Sequence, residues 1–248
     1  MLNLLKSQFP SFISATTLTA IVVLSGCSSP PSETANETTT TDEPTAQTVA
    51  SEETMTEGEL ANANFQDKLS GTELLNALKQ GGHVIYFRHA QTEKDYADQV
   101  KAVMGDCSTQ RALSEVGWEQ SKTIGEAFRQ NAIPFDRVIS SQYCRAWQTA
   151  DLAFGKYEKN GDLNFPKAAD YTPEQVAQMK ALLDPMLTAM PSAGTNTIIV
   201  GHDDLFEAST GIYPDPQGMA YVIKPDGSGN FELIANVLPE EWAKLGGS

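Results

Sequence analysis

Three short stretches of this chain end in residues able to do chemistry. Val84-Ile85-Tyr86-Phe87 runs directly into Arg88-His89; Arg137-Val138-Ile139-Ser140-Ser141 is followed by Arg145; Thr197-Ile198-Ile199-Val200-Gly201 is followed by His202-Asp203. Each stretch is rich in β-branched and aromatic residues, the signature of a buried strand. A single arginine or histidine at a strand end is usually a structural hydrogen bonder. Two imidazoles and two guanidiniums brought together are more specific. Guanidiniums grip phosphoryl oxygens through charge-assisted, often bidentate hydrogen bonds, and an unprotonated imidazole is a competent nucleophile. The pattern points to chemistry on a tetrahedral oxyanion, with Arg88, His89, Arg145, His202 and Asp203 around it.

Bringing the three tails together requires a particular architecture. Helix formers from Thr72 to Lys79 stop at Gly81-Gly82, and His83–Phe87 reads as a strand. A helix follows over Ser114–Gln130, with Ile124, Ala127 and Phe128 on one face. Arg137–Ser141 is a second strand and Tyr143–Phe154 a second helix. Thr172-Pro173-Glu174-Gln175 combines a cap, a proline at the first helical position and a capping-box glutamine. Val176, Met179, Leu183 and Met186 carry that helix's apolar face as far as Pro191. Asn196–Val200 is a third strand, and Ala220–Lys224 and Phe231–Val237 form a C-terminal β-hairpin through Pro225-Asp226-Gly227-Ser228-Gly229. Strands separated by helical crossovers predict an α/β fold: a mainly parallel sheet covered by helices on both faces, in three α/β/α layers. In such sheets, sites form at the carboxyl ends of the strands, where all three tails lie.

Arg88-His89-Ala90, with Gln91-Thr92 behind it, resembles the Arg-His-Gly signature of the histidine phosphatase superfamily, which includes the phosphoglycerate mutase-like enzymes. Ser140-Ser141 through Arg145 to Gln148-Thr149-Ala150 resembles its second phosphate-binding arginine segment, and Val200-Gly201-His202 resembles its second histidine. The likeness covers roughly residues 70–240. It implies a phosphoglycerate mutase-like fold and gives His89 the role of nucleophile, forming a phosphohistidine that water hydrolyses. It gives Arg88, Arg145 and His202 the role of phosphate cradle, with Thr92 beside them. The attacking nitrogen of His89 must be unprotonated, so its other nitrogen should donate to a backbone carbonyl. No metal and no cofactor are implied. The leaving group's proton donor is left open between Asp203, which directly follows the second histidine, and Asp170 or Glu174. Ala90 departs from the usual glycine, which matters only if that position needs a positive φ. Arg111 could reach substrate or simply orient its loop.

The first 65 residues read differently. Residues 1–27 carry Lys6 as their only charge and end in Leu24-Ser25-Gly26-Cys27, which resembles the lipobox of bacterial lipoproteins. The resemblance implies a signal peptide over 1–27, lipid on Cys27, and a membrane anchor on the periplasmic side of the cell envelope; Ser28 suggests the outer membrane. Residues 28–65 are Ser, Thr, Glu, Pro and Ala without a single Lys or Arg, a disordered acidic tether. The remaining 66–248 are the predicted catalytic domain. Of the chain's net charge of −15, the tether's eight acids and Lys6 together account for −7, leaving about −8 on the domain. That balance excludes a nucleic-acid surface. With Cys27 lipidated, Cys107 and Cys144 remain as an even pair in an oxidising compartment, predicting a disulfide over two separately buried thiols.

The combined expectation is a metal-independent phosphomonoester hydrolase of the cell envelope, acting on a small phosphorylated substrate such as a sugar phosphate. The alternatives are a non-catalytic envelope lipoprotein that binds phosphorylated sugars or glycolipids, and a phosphomutase. Oligomeric state is not readable. His83 is predicted structural or exposed, Trp118, Trp147 and Trp242 core or boundary aromatics, and Asp204 and Glu207 solvated or helix-starting acids.

Overall fold

The computed structural model describes residues 55–93, 102–168 and 170–247. Cys27, the tether up to residue 54, and residues 94–101 lie outside them.

Six strands, β1 (Val84–Arg88), β2 (Phe135–Ser141), β3 (Glu158–Asn160), β4 (Asn196–Gly201), β5 (Ala220–Pro225) and β6 (Phe231–Val237), form one sheet in the order β3-β2-β4-β1-β5-β6. β1 and β4, β2 and β4, and β2 and β3 pair parallel; β5 pairs antiparallel with both β1 and β6. The predicted parallel sheet and C-terminal hairpin are therefore one continuous mixed sheet. Its helices are α1 (Glu57–Ala63), α2 (Gly71–Gln80), α3 (Glu115–Gln130), α4 (Cys144–Phe154), α5 (Pro173–Leu187) and α6 (Asp203–Thr210).

The strand period of two divides the core into two layers. Along β1, Ile85 and Phe87 enter the layer of Leu74, Ile124, Phe128 and Trp242, while Val84 and Tyr86 enter that of Met179, Leu183, Leu205 and Phe206. α2, α3 and α4 cover the first face, α5 and α6 the second. Five consecutive fully covered residues in β1, and six in β4, explain why these strands read as unbroken apolar runs. The sheet's central strands thus end, at Arg88 and Gly201, inside the protein rather than at its surface.

The tether boundary needs correction. α1 lies inside the 28–65 stretch assigned to disorder. Thr56 and Glu59 cap it reciprocally, with Glu59 N donating to Thr56 Oγ1 at 3.2 Å and Thr56 N to Glu59 Oε2 at 2.7 Å. A seven-residue helix does not persist by itself, and this one is fastened by tertiary bonds. Tyr213 N donates to Gly58 O at 3.0 Å, Asn62 Nδ2 to Asp215 O at 2.8 Å, and Tyr221 Oη to Asn62 Oδ1 at 2.5 Å. A methyl group on Gly58 would displace the Glu207 carboxylate and press on Tyr213 Cβ, so glycine lets α1 dock closely here. Composition averaged over the acidic stretch hid these local signals. β3, a three-residue edge strand, was also unforeseen; its exposed Glu158-Lys159 carries no buried period.

Candidate active site

β1 delivers Arg88 as its last residue and His89 just beyond, β4 delivers His202 as the N-cap of α6, and β2 leads through Tyr143 into α4, whose second residue is Arg145. The strand ends are adjacent in the sheet, so the three segments converge. His89 and His202 have no exposed surface, and Arg88 and Arg145 are 5% and 3% exposed. The two imidazoles meet edge-to-face at 5.4 Å between centroids.

His89 has a defined tautomer. Arg145 Nε, which can only donate, lies 3.0 Å from His89 Nε2, so Nε2 carries the lone pair. The proton is then on Nδ1, which donates to Ala90 O at 2.9 Å. Burial, reinforced by the charges of Arg145 and Arg88, pushes the His89 pKa well below the usual imidazole value and keeps the ring neutral. Ala90 is not among the positive-φ residues, so the departure from glycine costs nothing in backbone strain. Thr149 locks the turn to α4 by accepting from Ala90 N at 3.0 Å and donating to Arg145 O at 2.7 Å.

His202 is held by its backbone. The Tyr86 hydroxyl donates to His202 O at 2.7 Å and accepts from His202 N at 2.9 Å. A Cβ at residue 201 would fall 2.3 Å from that hydroxyl, so Gly201 is required for the approach. The ring's tautomer follows from its neighbours. Gln142 N donates to Asn164 Oδ1 at 3.0 Å, which makes that oxygen an acceptor, so Ser141 Oγ, 2.8 Å away, must donate to it. Ser141 Oγ then accepts from His202 Nε2 at 2.9 Å, and His202 Nδ1 is left bare, buried and without a partner. Burial and the charges of Arg145, Arg111 and Arg88 hold the ring neutral, its pKa well below the usual range.

The two arginines differ in their company. Arg88 Nη1 donates to Pro214 O at 2.8 Å and to Asp215 Oδ1 at 2.9 Å; Nη2 donates to Tyr213 Oη at 3.2 Å and lies 3.2 Å from Asp203 Oδ2. Burial works against its charge, but Asp203, Tyr213 and Asp215 outweigh it and raise its pKa. Its Nε is buried and unpartnered. Arg145 packs its guanidinium over the rings of Tyr143 and Phe165, at 4.8 and 5.4 Å, beside its bond to His89.

The disulfide joins Cys107 and Cys144, fixing the loop of residues 102–110 to the first residue of α4, next to Arg145. A second fastening was not foreseen: Cys144 N donates to Gln110 Oε1 at 2.7 Å, and Gln110 is fully buried. Arg111 is half-buried and its charge acts on His202, which places it near the site. Thr92, given to the substrate by resemblance, instead bonds the protein: its N and Oγ1 both donate to Gln217 Oε1, at 2.7 and 3.2 Å. Asp203 reaches the site as an ion-pair partner of Arg88. Asp170 and Glu174 are exposed, so neither alternative proton donor is enclosed with the histidines. Asp204, read as a solvated or helix-starting acid, does start α6 but is half-buried, and it accepts from Tyr171 Oη at 2.9 Å. The acid pair after His202 was the available signal; Tyr171, Tyr213, Asp215 and Gln217 carried none. His83 is structural as expected, buried at the start of β1 with Asn196 Oδ1 accepting from its N.

Residues 84–164 match the family model of the histidine phosphatase superfamily, branch 1. That stretch contains Arg88, His89, Arg111, the disulfide and Arg145; His202 and the acids beyond it lie outside the match. Among curated relatives, the mitochondrial serine/threonine-protein phosphatase Pgam5 of Drosophila grimshawi is 31% identical over 90 residues, 36% of this chain and 28% of its own length. Its counterpart from Drosophila persimilis is 35% identical over 83 residues, 33% of this chain and 26% of its own. The chain therefore spans only about a quarter of the relatives it matches. Among solved structures, the protein histidine phosphatase SixA complexed with tungstate aligns at 17% identity and TM-score 0.46, over 64% of this chain and 98% of that one.

Proposed function

We propose that the protein is a phosphomonoester hydrolase that works through a phosphohistidine on His89. The observation that carries the reading is the pair of bonds fixing that ring, Nδ1 to Ala90 O and Nε2 to Arg145 Nε. They leave the nucleophilic lone pair on the nitrogen that faces a buried guanidinium. When a phosphoryl group enters, Arg145 Nε exchanges the imidazole for a phosphoryl oxygen, which frees Nε2 for in-line attack on phosphorus. The Nδ1–H bond to Ala90 O persists through attack and stabilises the positive charge the phosphorylated ring acquires. Arg88 Nε and Arg145 supply donors to the equatorial oxygens in a water-poor setting, where such bonds act most strongly on developing charge. His202 joins them by taking up a proton at its bare Nδ1, which a phosphate dianion nearby would favour. No metal enters these steps.

Turnover of an aryl phosphate by the full chain, with acid-labile, base-stable labelling from a radioactive phosphodonor, tests the reading. Activity that survives His89→Ala would end it. A second reading, an envelope protein that binds phosphorylated sugars or glycolipids without turnover, is favoured by one observation: both imidazoles are fully enclosed and Arg145 occupies Nε2. Tight phosphate binding with no turnover on any phosphoester would select it.

Placement at the cell envelope is part of the proposal and rests on Leu24-Ser25-Gly26-Cys27. Acyl chains on Cys27 would anchor the protein through methylenes worth about 0.8 kcal/mol each. Palmitate labelling lost in Cys27→Ser, with transfer of the protein to the aqueous phase on detergent partition, is the expected result. A sugar phosphate is the proposed substrate class, and a screen that includes nucleotides, phytate and phosphopeptides decides it.

A further inference from the structure

We infer that Asp204, rather than Asp203, gives the leaving alcohol its proton, an assignment that rests on the hydrolase reading above. An alkoxide is a poor leaving group, and within the cradle only His202, whose added proton is used to hold a phosphoryl oxygen, competes to supply a proton to it. Asp170 and Glu174 are exposed. Asp203 faces the Arg88 guanidinium at 3.2 Å, an ion pair that uses the carboxylate in its charged form.

Asp204 is differently placed. It is the second residue of α6, the helix capped by His202, and Tyr171, arriving from the segment before α5, donates to its Oδ1 at 2.9 Å. That bond leaves Oδ2 to carry a proton. The groups acting on it come from every neighbouring element. Asp203 on its own helix repels its charge and Arg145 on α4 attracts it, while Tyr86 on β1, Tyr171, and Tyr213 after α6 all lie within its field. Tyr171 is in turn coupled to Tyr143, the ring that covers Arg145. The carboxyl thus sits two residues beyond His202 and next to the acid that pairs with Arg88. Burial and then the Asp203 charge push its pKa up to about 6, with Tyr171 and Arg145 only partly opposing. Two adjacent carboxyls are thus separated by their partners. Arg88 pairs with one, while burial and the neighbouring carboxylate raise the pKa of the other, a difference in surroundings of the kind that separates acid and base roles.

The step balances. His89 Nε2 forms the bond to phosphorus, the phosphorus–oxygen bond to the alcohol breaks, and that oxygen takes the proton of Asp204. In the second half, water adds to phosphorus and returns a proton to Asp204, and the electron pair of the nitrogen–phosphorus bond goes back to Nε2. Asp204 is the catalytic residue and Tyr171 its positioning residue.

Leaving-group dependence in the full chain tests this. A dinitrophenyl phosphate departs without a proton, whereas glycerol 2-phosphate needs one. In Asp204→Asn, kcat/KM on glycerol 2-phosphate should fall by about 10²-fold or more while the dinitrophenyl ester loses far less. In the wild type, kcat on glycerol 2-phosphate should decline as pH rises through about 6, and Tyr171→Phe should move that limb upward, because the hydrogen bond lowers the Asp204 pKa. Equal losses on both esters in Asp204→Asn, or a wild-type rate on glycerol 2-phosphate that is flat from pH 5 to 8, would overturn the assignment alone. So would a selective loss on glycerol 2-phosphate in Asp203→Asn with none in Asp204→Asn. A wild type inert on both esters, or activity retained in His89→Ala, would remove the hydrolase reading and the assignment with it.

Discussion

Arg88 and Arg145 are both buried guanidiniums at the carboxyl end of the sheet, yet they are held in opposite ways. Arg88 is gripped by two carboxylates, a phenol and a carbonyl, three of them on the loop 213–215. Arg145 lies against aromatic faces and an imidazole nitrogen. The difference teaches what each can do. A cation matched by anions has little attraction left for an incoming dianion, so Arg88 mainly organises the loop and offers its single free Nε. Arg145 donates to a neutral nitrogen, and the proposed hydrolase mechanism requires it to exchange that bond for one to a phosphoryl oxygen.

The largest effect should come from removing the group that both arginines surround. His89→Ala is expected to lower kcat on an aryl phosphate by on the order of 10⁴-fold or more and to abolish the trapped phosphoenzyme. The arginines should then separate. Arg145→Ala is expected to lower kcat by about 10²- to 10³-fold with little change in melting temperature, the behaviour of a lost oxyanion donor. Arg88→Met leaves Asp203 enclosed without its partner and should destabilise the fold by about 3 kcal/mol, read by urea unfolding. Identical stability losses in the two variants would dissolve the distinction.

Two further tests address the sides of the site individually. Reduction of Cys107–Cys144 removes a constraint worth about 4 kcal/mol on the chain-entropy model, but Gln110 still holds the start of α4. Reduction should therefore lower activity more than helix content by circular dichroism, and reduction in a Gln110→Ala background should lower it further. On the Arg88 side, Asn62→Ala frees α1 from Asp215 and Tyr221 and should cost about 1 kcal/mol and a few-fold in kcat/KM.

The smallest and most gradual effect is with pH. His89 and His202 are held neutral in the folded protein, with pKa values below the 6.5 of an exposed imidazole. At pH values above 6.5 both folded and unfolded rings are neutral and contribute no difference. As pH falls below 6.5 the unfolded rings bind protons that the folded ones do not, so stability declines on acidification. A melting temperature constant from pH 8 to 7 and falling toward pH 5, less steeply in His202→Asn, is expected. Phosphate binding at pH 7 should take up a proton, visible in calorimetry as a heat that depends on the buffer's ionisation enthalpy.

Much of this was legible along the chain. Runs of β-branched and aromatic residues identified β1, β4 and β5, caps and stops bounded α2, α3 and α5, and the residues at or after the strand ends named His89, His202 and both arginines. What was not legible depends on contacts between distant segments. α1 lies in a stretch whose composition reads as disorder, and it is ordered by bonds to Tyr213, Asp215 and Tyr221, some 150 residues away. Thr92 is a polar residue next to the signature, and only the position of Gln217 shows that its hydroxyl is already bonded.

The sequence by itself determined the central strands, the helices between them and the placement of four chemical groups just past the strand ends, because residue type and periodicity are local properties of the polymer. The tertiary structure alone decided which nitrogen of His89 is bare, which arginine is saturated and which aspartate can hold a proton. Those outcomes depend on hydrogen bonds and charges a few ångströms away, supplied by residues such as Tyr171, Asp215 and Gln217 that carry no motif of their own.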